Sequence, residues 1–373
     1  MFQPPRTLFI SFLFLSMLVV SIAFLPLPVL AQQGSVPQLK TRPAESAPPT
    51  PQGTHRRVTV DVQVYDKSGA AVRGLQKQDF TLLDDKQPTE IVSFQAVDRS
   101  SPTASDPPTE IILVVDAVNA GFRAVTYQRN EIRKFLLQNG GKLPEPVSVV
   151  FFTDRETKTE KEFSRDGNAL ASTYDQYETG LRTINRSQGI YGAGERYNMS
   201  LKTLVSLTAY AAAQPGRKLM IWVSPGWPLL SGPGIQLDAK QERQLFDMVV
   251  QASTALRQAD TTLYSIDPLG LADFGIRTSY YKEFVKGVPY AERALPGDMG
   301  LQVIAEQTGG RVVNTTNDLT NALASCAADA ESYYILSFEA PKPDHADELH
   351  SLSVTVDKAG VSARTRNTYY DEP

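Results

Sequence analysis

A run of five apolar residues, 111–115, most constrains how this 373-residue chain can fold. The run ends abruptly on Asp116 and is followed by a turn and a helical pattern. Because successive strand residues point to opposite faces, a strand that is apolar throughout must be buried on both faces. Such a strand is typical of the centre of a parallel sheet with helices on each side. Ligands of these sheets gather outside the carboxyl ends of the strands, where Asp116 is expected.

The overall composition is that of an ordinary globular protein. The net charge is −4 and 42% of the residues are hydrophobic. The length allows two domains. Nothing is basic enough to indicate a nucleic-acid partner, and no run of like charge indicates an interaction tail.

The amino terminus has the pattern of an export signal. Arg6 precedes an uncharged apolar stretch at residues 8–25, and Pro26 and Pro28 then lead to a cleavage site at Val29-Leu30-Ala31. We interpret residues 1–31 as a signal peptide cleaved after Ala31, which predicts a secreted or periplasmic protein without membrane insertion after cleavage. The alternative is an uncleaved helical anchor, since the stretch approaches spanning length. The Pro-rich residues 32–54 are predicted to be a disordered spacer.

Short strands are predicted at both ends of the folded part. Residues 58–64 alternate valine with polar side chains, which indicates a half-buried strand, and two more strands complete an N-terminal β segment at 55–98. A C-terminal segment, 332–373, contains three strands with no helix between them. Three strands alone would form a sheet of marginal stability with one uncovered face. We therefore predict that the N-terminal and C-terminal strands together form one small β-sandwich.

Between these segments, residues 109–331 alternate strands and helices. This alternation predicts an α/β domain with a doubly wound, mostly parallel sheet and right-handed crossovers. The predicted strands are 147–152, 218–223, 261–266 and 311–313, with an edge hairpin at 156–163; the predicted helices include 168–182, 199–213, 301–307 and 319–330. The Gly-rich residues 188–194 are predicted to be a flexible loop, and residues 271–296 are irregular.

An ordered series of short motifs resembles the VWFA-related domain family known largely from Acidobacteria. The motifs are Val60-Asp61-Val62, Asp66-Lys67-Ser68-Gly69, Gly74-Leu75, Asp79-Phe80, Asp116-Ala117-Val118-Asn119, Pro215-Gly216-Arg217-Lys218, Thr308-Gly309-Gly310-Arg311, Asn317-Asp318-Leu319, Tyr333-Tyr334-Ile335-Leu336 and residues 363–370. The chain departs from the family at Thr368, where a Gly is common. The resemblance implies a von Willebrand factor type A, Rossmann-like fold and an exported binding or adhesion-type module, in a family for which no catalytic role is established.

The resemblance also implies a position for a metal-ion-dependent adhesion site. Such sites hold Mg²⁺ through an Asp-x-Ser-x-Ser turn, a Thr and a second Asp, because this hard cation needs near-octahedral oxygen coordination. Asp116 is the only ligand position retained here. The two hydroxyl positions are Val118 and Ala120, the second Asp is replaced by Ser224, and Asn198 and Ser200 occupy the loop of the Thr. We therefore expect a degenerate site, no bound Mg²⁺ or Ca²⁺, and a role for Asp116 in accepting backbone N–H groups at the start of the next helix.

No catalytic residues are predicted. His55 lies in the spacer, and His345 and His350 lie in a polar loop without the spacing of a zinc pair. Ser224 is not in the Gly-x-Ser-x-Gly turn of a hydrolase. Cys326, the only cysteine, lies among small residues and is predicted to be a buried thiol.

The leading hypothesis is a non-enzymatic, exported protein-interaction module. Its partner would be an unknown protein in the cell envelope or outside the cell. The predicted partner-binding face consists of Asp116, Asn119, Ser224, Trp227 and Asp267. Trp227 could anchor the partner or simply pack under the adjoining leucines. The alternatives are an envelope hydrolase or other enzyme that uses residues 271–296 as a lid, and a structural component of an envelope assembly.

Overall fold

The computed structural model describes residues 56–99, 108–160, 162–177, 189–229, 237–270 and 280–371. These residues belong to one compact unit. The strands are β1 Arg56–Asp66, β2 Phe80–Asp84, β3 Gln87–Pro88, β4 Ile91–Asp98, β5 Glu110–Asp116, β6 Lys142–Phe152, β7 Thr157–Thr159, β8 Ser164–Asp166, β9 Lys218–Val223, β10 Thr261–Ile266, β11 Val312–Val313, β12 Ser332–Ala340, β13 Leu349–Val356, β14 Val361–Arg364 and β15 Thr368–Tyr370. The α-helices are α1 Phe122–Leu136, α2 Gly167–Tyr177, α3 Gly189–Ala212, α4 Ala239–Gln258, α5 Leu301–Gln307 and α6 Leu319–Ala327.

The largest sheet has mixed strand direction. Its order is β11-β10-β9-β5-β6-β7, and β8 also pairs with β6. The strands from β11 to β6 are parallel to their neighbours, whereas β7 and β8 run antiparallel to β6. The edge hairpin predicted after β6 is thereby confirmed, because β7 folds back directly on that strand.

The expected fold class, a doubly wound, mostly parallel sheet of von Willebrand factor A or Rossmann type, is wrong. Parallel pairing is confined to five of the described strands, and the others pair antiparallel in three sheets. The chain is a mixed α/β protein with antiparallel sheets and one sheet of mixed direction. The error has a physical origin: a hydrophobic pattern shows which strand faces are buried but does not encode strand direction.

The central strand β5 is buried on both faces. Ile112 and Val114 belong to one apolar cluster, together with side chains of α3, α4 and α5. Ile111, Leu113 and Val115 belong to another, together with side chains of α1, α2 and α6. Burial of each such side chain contributes about 1.5–3 kcal/mol, so this strand fixes the centre of the fold.

The strands at the two ends of the described chain pair with one another. β1 and β12 lie side by side in the sheet β14-β1-β12-β4, and β2 and β13 lie side by side in the sheet β15-β13-β2-β3. Both sheets contribute to one apolar core that includes Val60, Leu82, Leu336 and Val354. The short strands β3 and β15 have no counterpart among the predicted elements.

One prediction about local structure also needs correction. The Gly-rich segment predicted as a loop begins α3 at Gly189, ten residues before the predicted helix start, while Gln188 lies outside the described residues. An added Cβ at Gly194 would meet nothing within 4 Å, so this glycine marks no close packing and the helix passes through it. The helix predicted at 168–182 is described only as far as Tyr177.

The described part of the irregular segment is anchored rather than loose. It contains short 3-10 helices, and Val288, Ala291 and Ala294 are buried in the apolar cluster. Val288 donates its N–H to the Tyr370 hydroxyl at 3.0 Å and accepts from the same hydroxyl at 3.0 Å. Residues 271–279 lie outside the described residues.

The predicted signal peptide at 1–31, its cleavage point after Ala31 and the spacer at 32–54 also lie outside the described residues. Among the helices that are described, none is both long enough and apolar enough to cross a membrane.

Candidate functional site

Three parallel strands of the mixed sheet end side by side. We call this carboxyl-terminal end of the three strands, with the residues that follow them, the edge. Val115, Val223 and Ile266 are register partners on β5, β9 and β10. The next residue on each strand is therefore Asp116, Ser224 or Asp267, and the three lie side by side. Ser224 donates its N–H to the Ile266 carbonyl at 2.9 Å, so the chain just after β9 is hydrogen-bonded to the end of β10.

Asp116 is fully buried and accepts four hydrogen bonds from nitrogen donors. Its Oδ1 accepts from the backbone N–H of Val118 at 2.9 Å and of Asn119 at 2.8 Å. Its Oδ2 accepts from Asn119 Nδ2 at 2.8 Å and from Trp222 Nε1 at 3.1 Å. The carboxylate thus organises the turn after β5, as short acidic side chains commonly do.

The expected role of Asp116 at a helix start is only partly right. It accepts backbone N–H groups, but these belong to the turn, since α1 begins at Phe122 and has Gly121 at its cap without a side-chain bond. Val118 and Ala120, at the two positions where the resemblance would place hydroxyls, are buried and apolar.

Burial raises the pKa of Asp116 above its ordinary value, while hydrogen bonds from Asn119, Trp222 and Ser224 act in the opposite direction. Both carboxylate oxygens already face N–H donors, and a cation would have to displace these donors to reach them. Mg²⁺ and Ca²⁺ need six or more oxygen ligands. This arrangement of donors fits a structural carboxylate and not a cation site.

Asn119 connects β5 to helix α3. Its Nδ2 donates to Ser200 Oγ at 2.9 Å as well as to Asp116, and Ser200 Oγ donates to the Arg196 carbonyl at 2.8 Å. The other atom of the amide, Asn119 Oδ1, is buried and has no hydrogen-bond partner among the described residues. An acceptor left unpaired in this way costs about 1–3 kcal/mol.

Trp227 is 4% exposed and packs edge-on against Trp222, with ring centroids 5.2 Å apart. Of the two interpretations of Trp227, packing therefore describes its ring. The ring contacts Trp222, and one of the two leucines expected above it, Leu230, lies outside the described residues. Its Nε1 is buried and makes no hydrogen bond within the described parts of the chain. The indole N–H is a donor that usually finds a partner when buried.

The turn that carries Trp227 depends on Gly226. This residue has a φ of +104°, and an added Cβ would lie 2.3 Å from Gln302 Nε2. Gln302 is held in turn by Tyr280, whose hydroxyl donates to Gln302 Oε1 at 2.8 Å. The position of Trp227 is thus fixed by α5 and by the described part of the irregular segment.

Asp267 is half-buried and completes the edge. Its Oδ1 accepts from the Leu269 N–H at 3.0 Å, and its own N–H donates to the Val313 carbonyl at 2.9 Å. All five predicted face residues therefore follow strand ends at one edge, but Asp116, Ser224 and Trp227 are buried and only Asn119 and Asp267 are partly accessible.

Ser224 contacts no histidine of the described residues, and the carboxylate to which it hydrogen-bonds, Asp116, already accepts four hydrogen bonds from nitrogen donors. Ser224 Oγ accepts from the Gly226 N–H at 3.2 Å. The described histidines, His345 and His350, are in or beside the terminal strands, and His55 lies outside the described residues. Cys326 is fully buried on α6, as predicted, and burial raises the pKa of its thiol to about 11. It is therefore protonated and unreactive at neutral pH.

One cluster was missed by the sequence interpretation. Asp84, Asp85 and His350 bring two carboxylates and an imidazole within 4.8 Å of one another. His350 was assigned to a polar loop, whereas it lies in β13 and is buried. The available signal was its alternation with Leu352 and Val354, which places all three on the inner face of one strand.

Comparison with known proteins gives structural likeness only. No protein-family profile and no curated sequence matches the chain. A mutant of the PilB minor pilin from Streptococcus sanguinis is 12% identical, with a TM-score of 0.32, and covers 62% of this chain and 64% of its own length. The pilus adhesin SpaC from Lactobacillus rhamnosus GG is 10% identical, with a TM-score of 0.37, and covers 84% of this chain and 48% of its own length. The chain thus spans less than two thirds of either protein.

Proposed function

We propose that the protein is an exported, non-enzymatic module that binds an extended peptide segment of a partner protein in the cell envelope or outside the cell. The binding surface is the edge formed by Asp116, Asn119, Ser224, Trp227 and Asp267. Membership of the VWFA-related family stays a prediction and is not needed for this proposal.

The proposal depends on one observation, the presence of two unpaired polar atoms of opposite type at this edge. Trp227 Nε1 is a buried donor and Asn119 Oδ1 is a buried acceptor, and neither has a partner among the described residues. Both are connected to the Asp116 carboxylate, Asn119 directly and Trp227 through its contact with Trp222.

A peptide backbone offers the complementary groups, since each residue carries one carbonyl acceptor and one N–H donor. On binding, the edge would open enough to admit the partner backbone, so that a partner carbonyl accepts from Trp227 Nε1 and a partner N–H donates to Asn119 Oδ1. Each hydrogen bond gained in this way contributes about 1 kcal/mol net, and it also removes the cost of an unpaired buried group. Asp116 and Ser224 act as the buried support that holds these groups in place.

The hydrolase alternative has less support. Ser224 contacts no histidine of the described residues, and the described part of the predicted lid, residues 280–296, is fixed to the core through Val288 and Tyr370. The structural-assembly alternative would place the contact surface on the sheets of the terminal strands, away from the edge.

Selection of a random peptide library on the immobilised protein, followed by fluorescence polarisation with a selected peptide, tests the proposal. Trp227→Phe removes the indole N–H and is expected to weaken binding about five- to tenfold, which corresponds to one hydrogen bond. Asp267→Asn is expected to weaken binding to a smaller extent, because Asp267 is only partly accessible. Unfolding in urea is measured for each variant, so that weaker binding is not confused with loss of the fold.

Val205→Ser provides the matched control. Val205 is 67% exposed on α3 and borders an apolar groove of about 380 Å³ between α3 and α4, which also contains Leu204 and Met248. This variant is expected to keep the affinity of the original protein. If Val205→Ser abolishes binding while Trp227→Phe leaves it unchanged, the groove is the contact surface and the proposal is wrong.

A further inference from the structure

A second cluster of ionisable side chains lies in the terminal-strand sheet β15-β13-β2-β3. Asp84 ends β2, Asp85 begins the turn into β3, and His350 is the second residue of the neighbouring strand β13. Asp84 and His350 are 5% and 4% exposed, whereas the Asp85 side chain is 51% exposed. The cluster is therefore buried on one side and open to solvent on the other.

Local backbone geometry brings the two adjacent carboxylates together. Neighbouring residues of a regular strand point to opposite faces, so an Asp-Asp pair would normally diverge. Here the strand ends at Asp84, and both Asp85 and Lys86 have positive φ, of 48° and 67°, as in the tight two-residue turns of hairpins. The turn directs the Asp85 carboxylate back toward β13.

His350 lies close to both carboxylates. His350 Nδ1 lies 2.9 Å from Asp85 Oδ2 and 3.5 Å from Asp84 Oδ1. Despite these distances, neither ring nitrogen of His350 makes a hydrogen bond within the described chain, and neither does Asp84 Oδ1. A histidine that is this buried normally has a partner for at least one nitrogen.

The opposite oxygen of each carboxylate is held in place. The Tyr369 hydroxyl donates to Asp84 Oδ2 at 2.9 Å. Ser351 donates its N–H to Asp85 Oδ1 at 2.8 Å and its hydroxyl at 3.0 Å. The Tyr369 ring also stacks on His350, with centroids 4.8 Å apart and an interplanar angle of 12°. Hydrogen bonds from outer residues that orient a ligand in this way are typical of metal sites.

We propose that Asp84 Oδ1, Asp85 Oδ2 and His350 Nδ1 bind one divalent transition-metal ion, with Zn²⁺ the best fit. Zinc bonds of about 2.0–2.2 Å to nitrogen and oxygen in tetrahedral geometry require ligand atoms roughly 3.4 Å apart. The two separations from His350 Nδ1, 2.9 and 3.5 Å, bracket this value, and the three ligand groups all lie within 4.8 Å of one another. Two carboxylates and one imidazole suit zinc, whereas Mg²⁺ and Ca²⁺ prefer oxygen ligands only.

The surrounding charge also favours a cation. Asp371 is a third buried carboxylate near the cluster, and it pairs with Arg56 Nη1 at 2.5 Å. Arg56 offsets the charge of Asp371, so Asp84 and Asp85 are the carboxylates that face His350. Because Asp85 is partly exposed, water can reach the ion and complete its coordination.

Isothermal titration of tag-free full-length protein with ZnCl₂ tests the proposal, with MgCl₂ and CaCl₂ as comparisons. One saturable zinc site per chain is expected, together with a higher melting temperature when zinc is bound. Asp85→Asn is expected to weaken zinc binding at least about tenfold. This variant alters a half-exposed turn residue and should remain folded. His350→Gln is expected to remove the site.

The matched control changes the other histidines. The chain contains three, and the double variant His55→Gln, His345→Gln keeps only His350. It is expected to bind zinc with unchanged affinity, and the buried Cys326 offers no competing ligand. Absence of a saturable zinc site, or zinc binding that survives both Asp85→Asn and His350→Gln, would overturn the proposal.

Discussion

Tyr65 of β1 donates a 2.6 Å hydrogen bond to Asp329 Oδ1, and the two residues are 264 positions apart in the sequence. The other oxygen of Asp329 accepts from Tyr264 of β10 at 2.9 Å and from Arg364 of β14. Arg311 Nε lies 3.5 Å from the same oxygen. One carboxylate, 3% exposed, thus joins the terminal-strand sheet β14-β1-β12-β4 to the mixed sheet.

Asp329→Asn is expected to destabilise the protein by about 3 kcal/mol. Removing the charge leaves the buried guanidinium of Arg364 without its carboxylate, and breaking one partner of a buried ion pair is costly. The free energy of unfolding in urea measures the effect. Asp175→Asn is the control, because its pair with Arg133 is about half exposed and should contribute less than about 1 kcal/mol. Equal losses for the two variants would show that Asp329 has no special role.

Asp298 is expected to make stability depend on pH. Burial raises its pKa to about 6, although the Leu295 N–H donates to its Oδ2 and acts in the opposite direction. A carboxyl with a raised pKa binds a proton more tightly in the folded state, so its protonation stabilises the fold as pH falls through 6. Between pH 7.5 and pH 5, this group should add about 1 kcal/mol of stability.

Asp298→Asn removes the titrating group while keeping an oxygen acceptor for Leu295. Urea unfolding at both pH values should therefore show a smaller gain on acidification for the variant than for the original protein. Parallel pH profiles for the two proteins would rule out a raised pKa at this position.

Gly310 is expected to tolerate no side chain. An added Cβ would lie 1.7 Å from the carbonyl oxygen of Leu263, which belongs to the buried strand β10. Gly310→Ala should cost about 3 kcal/mol or more, since the strand cannot move away without losing its pairing. Gly194→Ala in α3, where no atom lies within 4 Å, should instead stabilise the protein by about 0.5 kcal/mol. Urea midpoints compare the pair, and similar values would contradict the packing argument.

Several elements could be predicted because their patterns are strong. The bounds of β9 and β10 agree with the sequence prediction, since both strands are continuous apolar or β-branched runs. The alternation of β1 correctly showed which side chains enter the core. The strands β3 and β15 have only two and three residues, too few to show a period.

The fold class and the details of the site could not be predicted from hydrophobic patterns in the sequence. The antiparallel pairing of β8 with β6 was not predicted, because periodicity carries no information about strand direction. The bond between Trp222 Nε1 and Asp116 joins residues 106 positions apart, so no local pattern reveals that Asp116 is closed to a cation. The sequence did place Asp116, Ser224 and Asp267 at strand ends, but it gave no indication that two of them are buried.

The indole N–H signal of Trp227 offers the most direct test of the proposed peptide-binding edge. The chain contains two tryptophans, so ¹⁵N-labelled protein should show two indole signals, and Trp227→Phe assigns them. Saturation with a selected peptide is expected to shift the Trp227 signal strongly downfield as its N–H gains an acceptor. The Trp222 signal should move less, because its N–H already donates to Asp116. A Trp227 signal that stays in place when the protein is saturated would contradict binding at this edge.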